Sequence, residues 1–158
     1  MADIVIVYYS RTGKTRMVAE KLGATLGADV EEIREAKSRG GVAGFWGGVK
    51  DALFKRKAEL ASEHTAEGRK AVVLGMPVWA ASPPPAIRQY VQAVDLKGKK
   101  LFAFCTMDSS GGKGTLSKLA EMAGDELLET LELKKPDKDS RLDEKLNDFA
   151  NRIKTAMC

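Results

Sequence analysis

Val7-Tyr8-Tyr9-Ser10-Arg11-Thr12-Gly13-Lys14-Thr15 closes a continuous apolar run and opens a helical pattern. Ile4, Val5, Ile6 and Val7 are β-branched and uninterrupted, the composition of a strand buried on both faces. From Ser10 to Thr15 the turn then carries three hydroxyls, a glycine and two cations. The first N–H groups of a helix have no partners within it and lie at the positive end of its dipole, so a phosphate can be held there. Ser10, Thr12 and Thr15 supply further O–H donors, and Gly13 permits close approach. The competing reading is an ordinary strand-to-helix turn with a hydroxyl cap. A cap needs one hydroxyl, and this turn has three at two- and three-residue spacing, which favours anion binding. A nucleoside-triphosphate loop would place a glycine five residues before Gly13, where the chain has Tyr8, so a terminal phosphomonoester is the better match.

With 158 residues the chain is long enough for one domain with a proper core, and a second domain is not expected. Its longest apolar runs fall far short of a membrane span, and its N-terminus has neither the basic flank nor the apolar stretch of a secretory signal. The expectation is a cytoplasmic protein with no membrane insertion. Cys105 and Cys158 are far apart and form no metal motif, so reduced thiols are expected. His64, among Glu63, Thr65 and Glu67, reads as a solvated side chain, and no metal site is expected. Net charge is +4 with a pI of about 9.0, and seven basic residues fall between Arg34 and Lys57. No aromatic residues are interleaved with them in a nucleic-acid-reading motif, so no nucleic-acid partner is inferred.

Along the chain, apolar spacing through Met17, Val18, Leu22 and Leu26 predicts a first helix from Gly13 or Lys14 to about Leu26, ended by Gly27. A short strand follows at Val30 to Ile33. A glycine-rich stretch, Ser38 to Gly48, leads into a helix through Val49, Leu53 and Phe54; Phe45 and Trp46 either pack that helix on the sheet or reach toward a ligand. Lys70 to Gly75 predicts a third strand and Leu101 to Phe104 a fourth. A helix between them carries Ile87, Tyr90, Val91 and Val94, its first turn entered through Pro83-Pro84-Pro85. Leu116, Leu119, Ala120 and Ala123 mark another helix, Leu127 to Leu133 a fifth strand, and Leu142 to Met157 a terminal helix. Strands alternating with helices imply an α/β fold, a doubly wound parallel sheet with helices on both faces and ligands held at the carboxyl ends of its strands.

Three loops with unusual chemistry follow strands one, three and four. The second is Met76-Pro77-Val78-Trp79-Ala80-Ala81-Ser82, and the third is Cys105-Thr106-Met107-Asp108-Ser109-Ser110-Gly111-Gly112. A hydroxyl-rich pocket, a tryptophan beside a proline and a small polar segment together suit a flat aromatic group bearing a phosphate. Trp79 would stack on one ring face, and backbone groups of 76–80 and 105–111 would meet the polar edge.

In these three segments the chain resembles the flavodoxin family, specifically its shorter members, over nearly its whole length. Ser10-Arg11-Thr12-Gly13-Lys14-Thr15 is similar to that family's FMN phosphate loop, Gly75 to Trp79 to its first flavin loop and Thr106 to Gly112 to its second. The resemblance implies a flavodoxin-like five-stranded sheet in the order 2-1-3-4-5, noncovalent FMN, and electron transfer between a reductase and an acceptor protein with no catalytic residue. A monomer is the default state. The chain departs from the pattern twice. Ala80 stands where many members have a glycine whose peptide turns over on one-electron reduction of the flavin, and a Cβ makes that turn costlier. Gly111 stands where many have a tyrosine over the second flavin face, which leaves that face open unless Phe45 or Trp46 covers it. With Lys14 near the phosphate, these departures lead us to expect a second reduction at a less negative potential. The opened face also supports the alternative function, an FMN-dependent NAD(P)H:quinone-type reductase. Asp108 reads as an anchor in the flavin loop rather than as a proton donor.

Overall fold

A computed structural model describes residues 2–34, the backbone of 59–60 and residues 64–158. Within these, chain order is β1 (Ile4–Tyr8), α1 (Lys14–Leu26), β2 (Asp29–Glu32), β3 (Glu59–Leu60), β4 (Ala71–Pro77), α2 (Pro85–Ala93), β5 (Lys100–Met107), α3 (Gly112–Ala123), β6 (Leu127–Lys134), a 3-10 turn (Pro136–Lys138) and α4 (Leu142–Met157). The strands are parallel and lie in the order β3-β2-β1-β4-β5-β6. The five longer strands thus stand in the expected order 2-1-3-4-5, and the two-residue β3 extends the β2 edge. The helix expected through Val49, Leu53 and Phe54 lies outside the described residues, as do Phe45 and Trp46.

Side-chain alternation along the strands builds two cores. Val5, Val7, Val72, Leu74 and Ala103 point to one face, where Ile87, Val91, Leu116 and Leu119 of α2 and α3 cover them. Ile6, Tyr8, Val73, Phe102 and Phe104 point to the other, beneath Val18 and Leu22 of α1 and Leu146, Phe149 and Ile153 of α4. Burying each large side chain is worth about 1.5–3 kcal/mol, so this double burial fixes strand register. A slip of one residue would exchange the two sets. Among the described residues no helix is long and apolar enough to cross a membrane.

Two strands run further than their apolar runs indicate. The ladder continues through Pro77 paired with Thr106 and through Met107 paired with Lys134. Pro77 is tolerated because it ends its strand, where a missing N–H costs little. Met76 and Cys105 are therefore strand residues whose side chains are fully buried in the core under α2 and α3.

Candidate functional site

The carboxyl ends of β1, β4, β5 and β6 meet at one rim. After β1, the three hydroxyls divide their duties. Ser10 Oγ accepts the Gly13 N–H at 3.1 Å, which closes the turn. Thr15 is buried, and its hydroxyl shares a 2.9 Å hydrogen bond with that of Thr106 on β5. Thr12 stays exposed. The helix starts at Gly13, φ 93°, without a side-chain cap, and its first bonded amide is that of Met17, donating to Gly13 O at 3.0 Å. The amides of Lys14, Thr15 and Arg16 have no acceptor among the described residues, and the space beside Gly13 is open. The site thus has anion donors and room for an anion.

After β4, Trp79 and Ser82 close a two-residue turn with Trp79 N–H donating to Ser82 O at 3.2 Å and Ser82 N–H donating to Trp79 O at 3.0 Å. Ala80 and Ala81 sit at φ 52° and 57°, the left-handed conformation that such turns demand and that costs an L-residue about 1–2 kcal/mol. Ala80 therefore already holds the positive φ that its Cβ disfavours. The half-buried Trp79 ring meets Tyr9 edge-on, centroids 5.7 Å apart, and the Arg11 guanidinium lies over it at 5.4 Å.

After β5, Asp108 is exposed and accepts from Lys14 Nζ at 3.2 Å, with Asp137 of the 3-10 turn 3.8 Å from the same nitrogen. The bond to Asp108 holds the Lys14 ammonium above its usual range. Gly111, at φ 101°, begins α3, again without a side-chain cap. A Cβ there would come within 2.9 Å of Val78 Cγ1 and 3.2 Å of Ala81 Cα. Glycine at this position has a packing reason of its own: the loops after β4 and β5 touch there, with Val78 and Ala81 against it.

The predicted residues are thus joined in pairs across loops: Arg11 with Trp79, Lys14 with Asp108, Thr15 with Thr106, and Gly111 with Val78. Ser109 and Ser110 are exposed on the third loop, and Gly112 opens α3 beneath them. Met76 and Cys105 can offer the rim only their main chain. Burial, with the Glu132 charge adding to it, pushes the Cys105 thiol up to about 12, which keeps it protonated and inert.

Five participants carry no distinguishing pattern in the sequence: Asp137, Tyr9, and the cluster of Tyr8, Glu32 and Arg16. Asp137 lies in a polar turn with no pattern to distinguish it. Tyr9, at the end of β1, orients Trp79 through an edge-on ring contact. Below the rim, Tyr8 donates to Glu32 Oε2 at 3.0 Å while Arg16 Nη2 donates to Glu32 Oε1 at 2.8 Å. Burial, then the Glu32 carboxylate, raises the Tyr8 hydroxyl above its ordinary range. This cluster ties the first turn of α1 to β1 and β2 and commits Arg16 to Glu32.

Fold and rim together define a doubly wound α/β protein with a helix start of unbonded amides beside a tryptophan-bearing turn. The flavodoxin family model matches residues 3–153, and the chain belongs to the flavodoxin family. A Bacteroides uniformis protein described as a flavoprotein is 21% identical with a TM-score of 0.69, covering 95% of this chain and 98% of that one. A Lactobacillus acidophilus flavoprotein in complex with FMN is 20% identical with a TM-score of 0.60, covering 92% and 99%. The two-electron reduced flavodoxin of Megasphaera elsdenii is 19% identical with a TM-score of 0.61, covering 94% and 98%. No curated protein matches the chain.

Proposed function

We propose that this chain binds FMN noncovalently and carries electrons between redox proteins. The observation that carries the proposal is the set of four contacts linking the loops after β1, β4 and β5, because they bring the phosphate donors and the stacking tryptophan to one place. The phosphate would be held by the amides of Lys14, Thr15 and Arg16 and by the hydroxyls of Thr12 and Ser10. Ser10 accepts from Gly13 and so keeps its own proton to donate. Trp79 would stack on the ring, and main-chain groups of Ala80 and Asp108 would face its polar edge. When bound, FMN supplies the acceptance and release of one or two electrons. A cytoplasmic location goes with this reading.

Lys14 lends the site less positive field than its position suggests, because Asp108 and Asp137 both face it. The alternative is an NAD(P)H:quinone-type reductase: steady NAD(P)H oxidation by the purified holoprotein alone would select it, and reduction only through a partner reductase selects the carrier. Purified protein should show a flavin absorption spectrum and release FMN on denaturation. Thr12→Ala should lower FMN affinity roughly tenfold, the worth of one hydrogen bond to a charged group, while leaving riboflavin affinity unchanged. Equal losses for the two ligands would remove the phosphate assignment.

A further inference from the structure

We infer that Lys113, Lys134, Lys135 and Lys138 form a docking face for an acidic electron-transfer protein; this rests on the flavin site proposed above. All four are exposed. They surround the loop after β5. Lys134 pairs with Met107 in the ladder, the Lys135 N–H donates to Met107 O at 2.8 Å, and the Lys138 N–H donates to Lys135 O at 2.9 Å. Lys113 is the second residue of α3, directly after that loop.

The acids nearby are offset in part from within the molecule, two carboxylates sharing the single Lys14 ammonium so that one net negative charge remains there against the four lysines. Asp108 and Asp137 face Lys14, and Asp139 accepts from Lys145 at 2.6 Å. The Glu132 carboxylate lies against the start of α3, within 2.5 Å of where a Cβ on Gly112 would stand, and there the helix dipole offsets its charge. Among the described residues the four lysine side chains have no such partner. Their positive charge is thus directed outward beside the segment that would hold the flavin edge. A face of this sign attracts Asp- and Glu-rich surfaces and repels basic ones. Lys134 to Lys138 contains no aromatic residue on which a base could stack, which favours a protein over a nucleic acid.

The test uses the FMN-loaded protein, reduced with dithionite and mixed by stopped flow with ferricyanide or with tris(phenanthroline)cobalt(III). Each fully reduced flavin gives one electron to each of two oxidant ions, and its protons pass to solvent. The triple variant Lys134→Glu, Lys135→Glu, Lys138→Glu should slow ferricyanide roughly tenfold at low ionic strength and speed the cobalt complex comparably. Both differences should vanish at high salt, where screening is complete; a change in flavin potential would persist there. Lys70→Glu with Lys97→Glu, at the opposite rim, should alter neither rate. Unchanged rates in the triple variant, or equal changes in the control pair, would overturn the docking face. So would retention of a random-sequence DNA duplex at physiological salt that the triple variant loses. A protein that stays colourless with added FMN fails earlier and removes the flavin reading itself, and the docking face with it.

Discussion

The two rims of the sheet use the same residue types to opposite ends. At the amino ends of the strands, cations are tied to the fold: Arg69 pairs with Asp29 and donates to Ala2 O at 2.8 Å, Lys99 donates to Arg69 O at 2.9 Å, and Lys100 donates to Ala156 O at 2.6 Å. At the carboxyl ends all four described helices begin without side-chain caps, two alanines hold a left-handed turn, and lysines project outward. One rim spends its polar groups on stability; the other leaves helix amides and four lysines unmatched among the described residues. Substitutions at the amino-end rim should therefore cost stability without cofactor affinity, and substitutions at the carboxyl-end rim should affect the cofactor.

The largest expected effect is at Gly111. An alanine there adds an unfavourable φ and a clash with Val78, and should destabilise the protein by about 2–4 kcal/mol while separating two loops of the site. Urea unfolding and FMN titration should both register it, and an undiminished FMN affinity would break the contrast between the rims. Next, Arg69→Met leaves the Ala2 carbonyl without its donor and the Asp29 carboxylate with the Ala2 N–H alone. It should lower stability by about 1–3 kcal/mol with FMN affinity unchanged. A gain is expected from Ala80→Gly, which relieves a left-handed alanine and should raise stability by about 1 kcal/mol, read as a higher urea midpoint. The smallest effect is a pH limb. Hydrogen bonding from Arg69 holds the Asp29 carboxyl below its ordinary value of 3.8. The unfolded chain therefore takes up this proton at higher pH than the folded one. The contribution of Asp29 is full above about pH 4 and is lost as pH falls through the depressed folded value. Acid titration of the thermal midpoint should show this limb in the parent and a weaker one in Arg69→Met.

Much of the fold was legible because its determinants are local or periodic. The β-branched run before Tyr8, the helical spacing from Met17 to Leu26 and the glycine at 27 place β1 and α1 within a residue, and α4 was placed at Leu142 to Met157, as found. From sequence β5 reads short because Cys105-Thr106-Met107 looks like a loop; pairing with β6 makes it strand, and that pairing is a tertiary fact. β3, at two residues, shows no period at all. In the site, residue types were legible and their division of labour was not. Ser10, Thr12 and Thr15 are chemically alike, yet one closes a turn, one bonds across to β5 and one stays exposed. Only the packed neighbours decide which. The bond between Tyr8 and Glu32 joins residues 24 apart, and Asp137 reaches Lys14 only because β6 returns beside β5.

The two cysteines give the molecule a built-in point of attachment. Cys105 is sealed in the core, whereas Cys158 is exposed one turn beyond Lys154, two residues past the Ala156 carbonyl that Lys100 holds at the amino-end rim. A maleimide dye or a gold electrode would therefore couple through a single thiol with uniform orientation, the loop-bearing end facing away from the support.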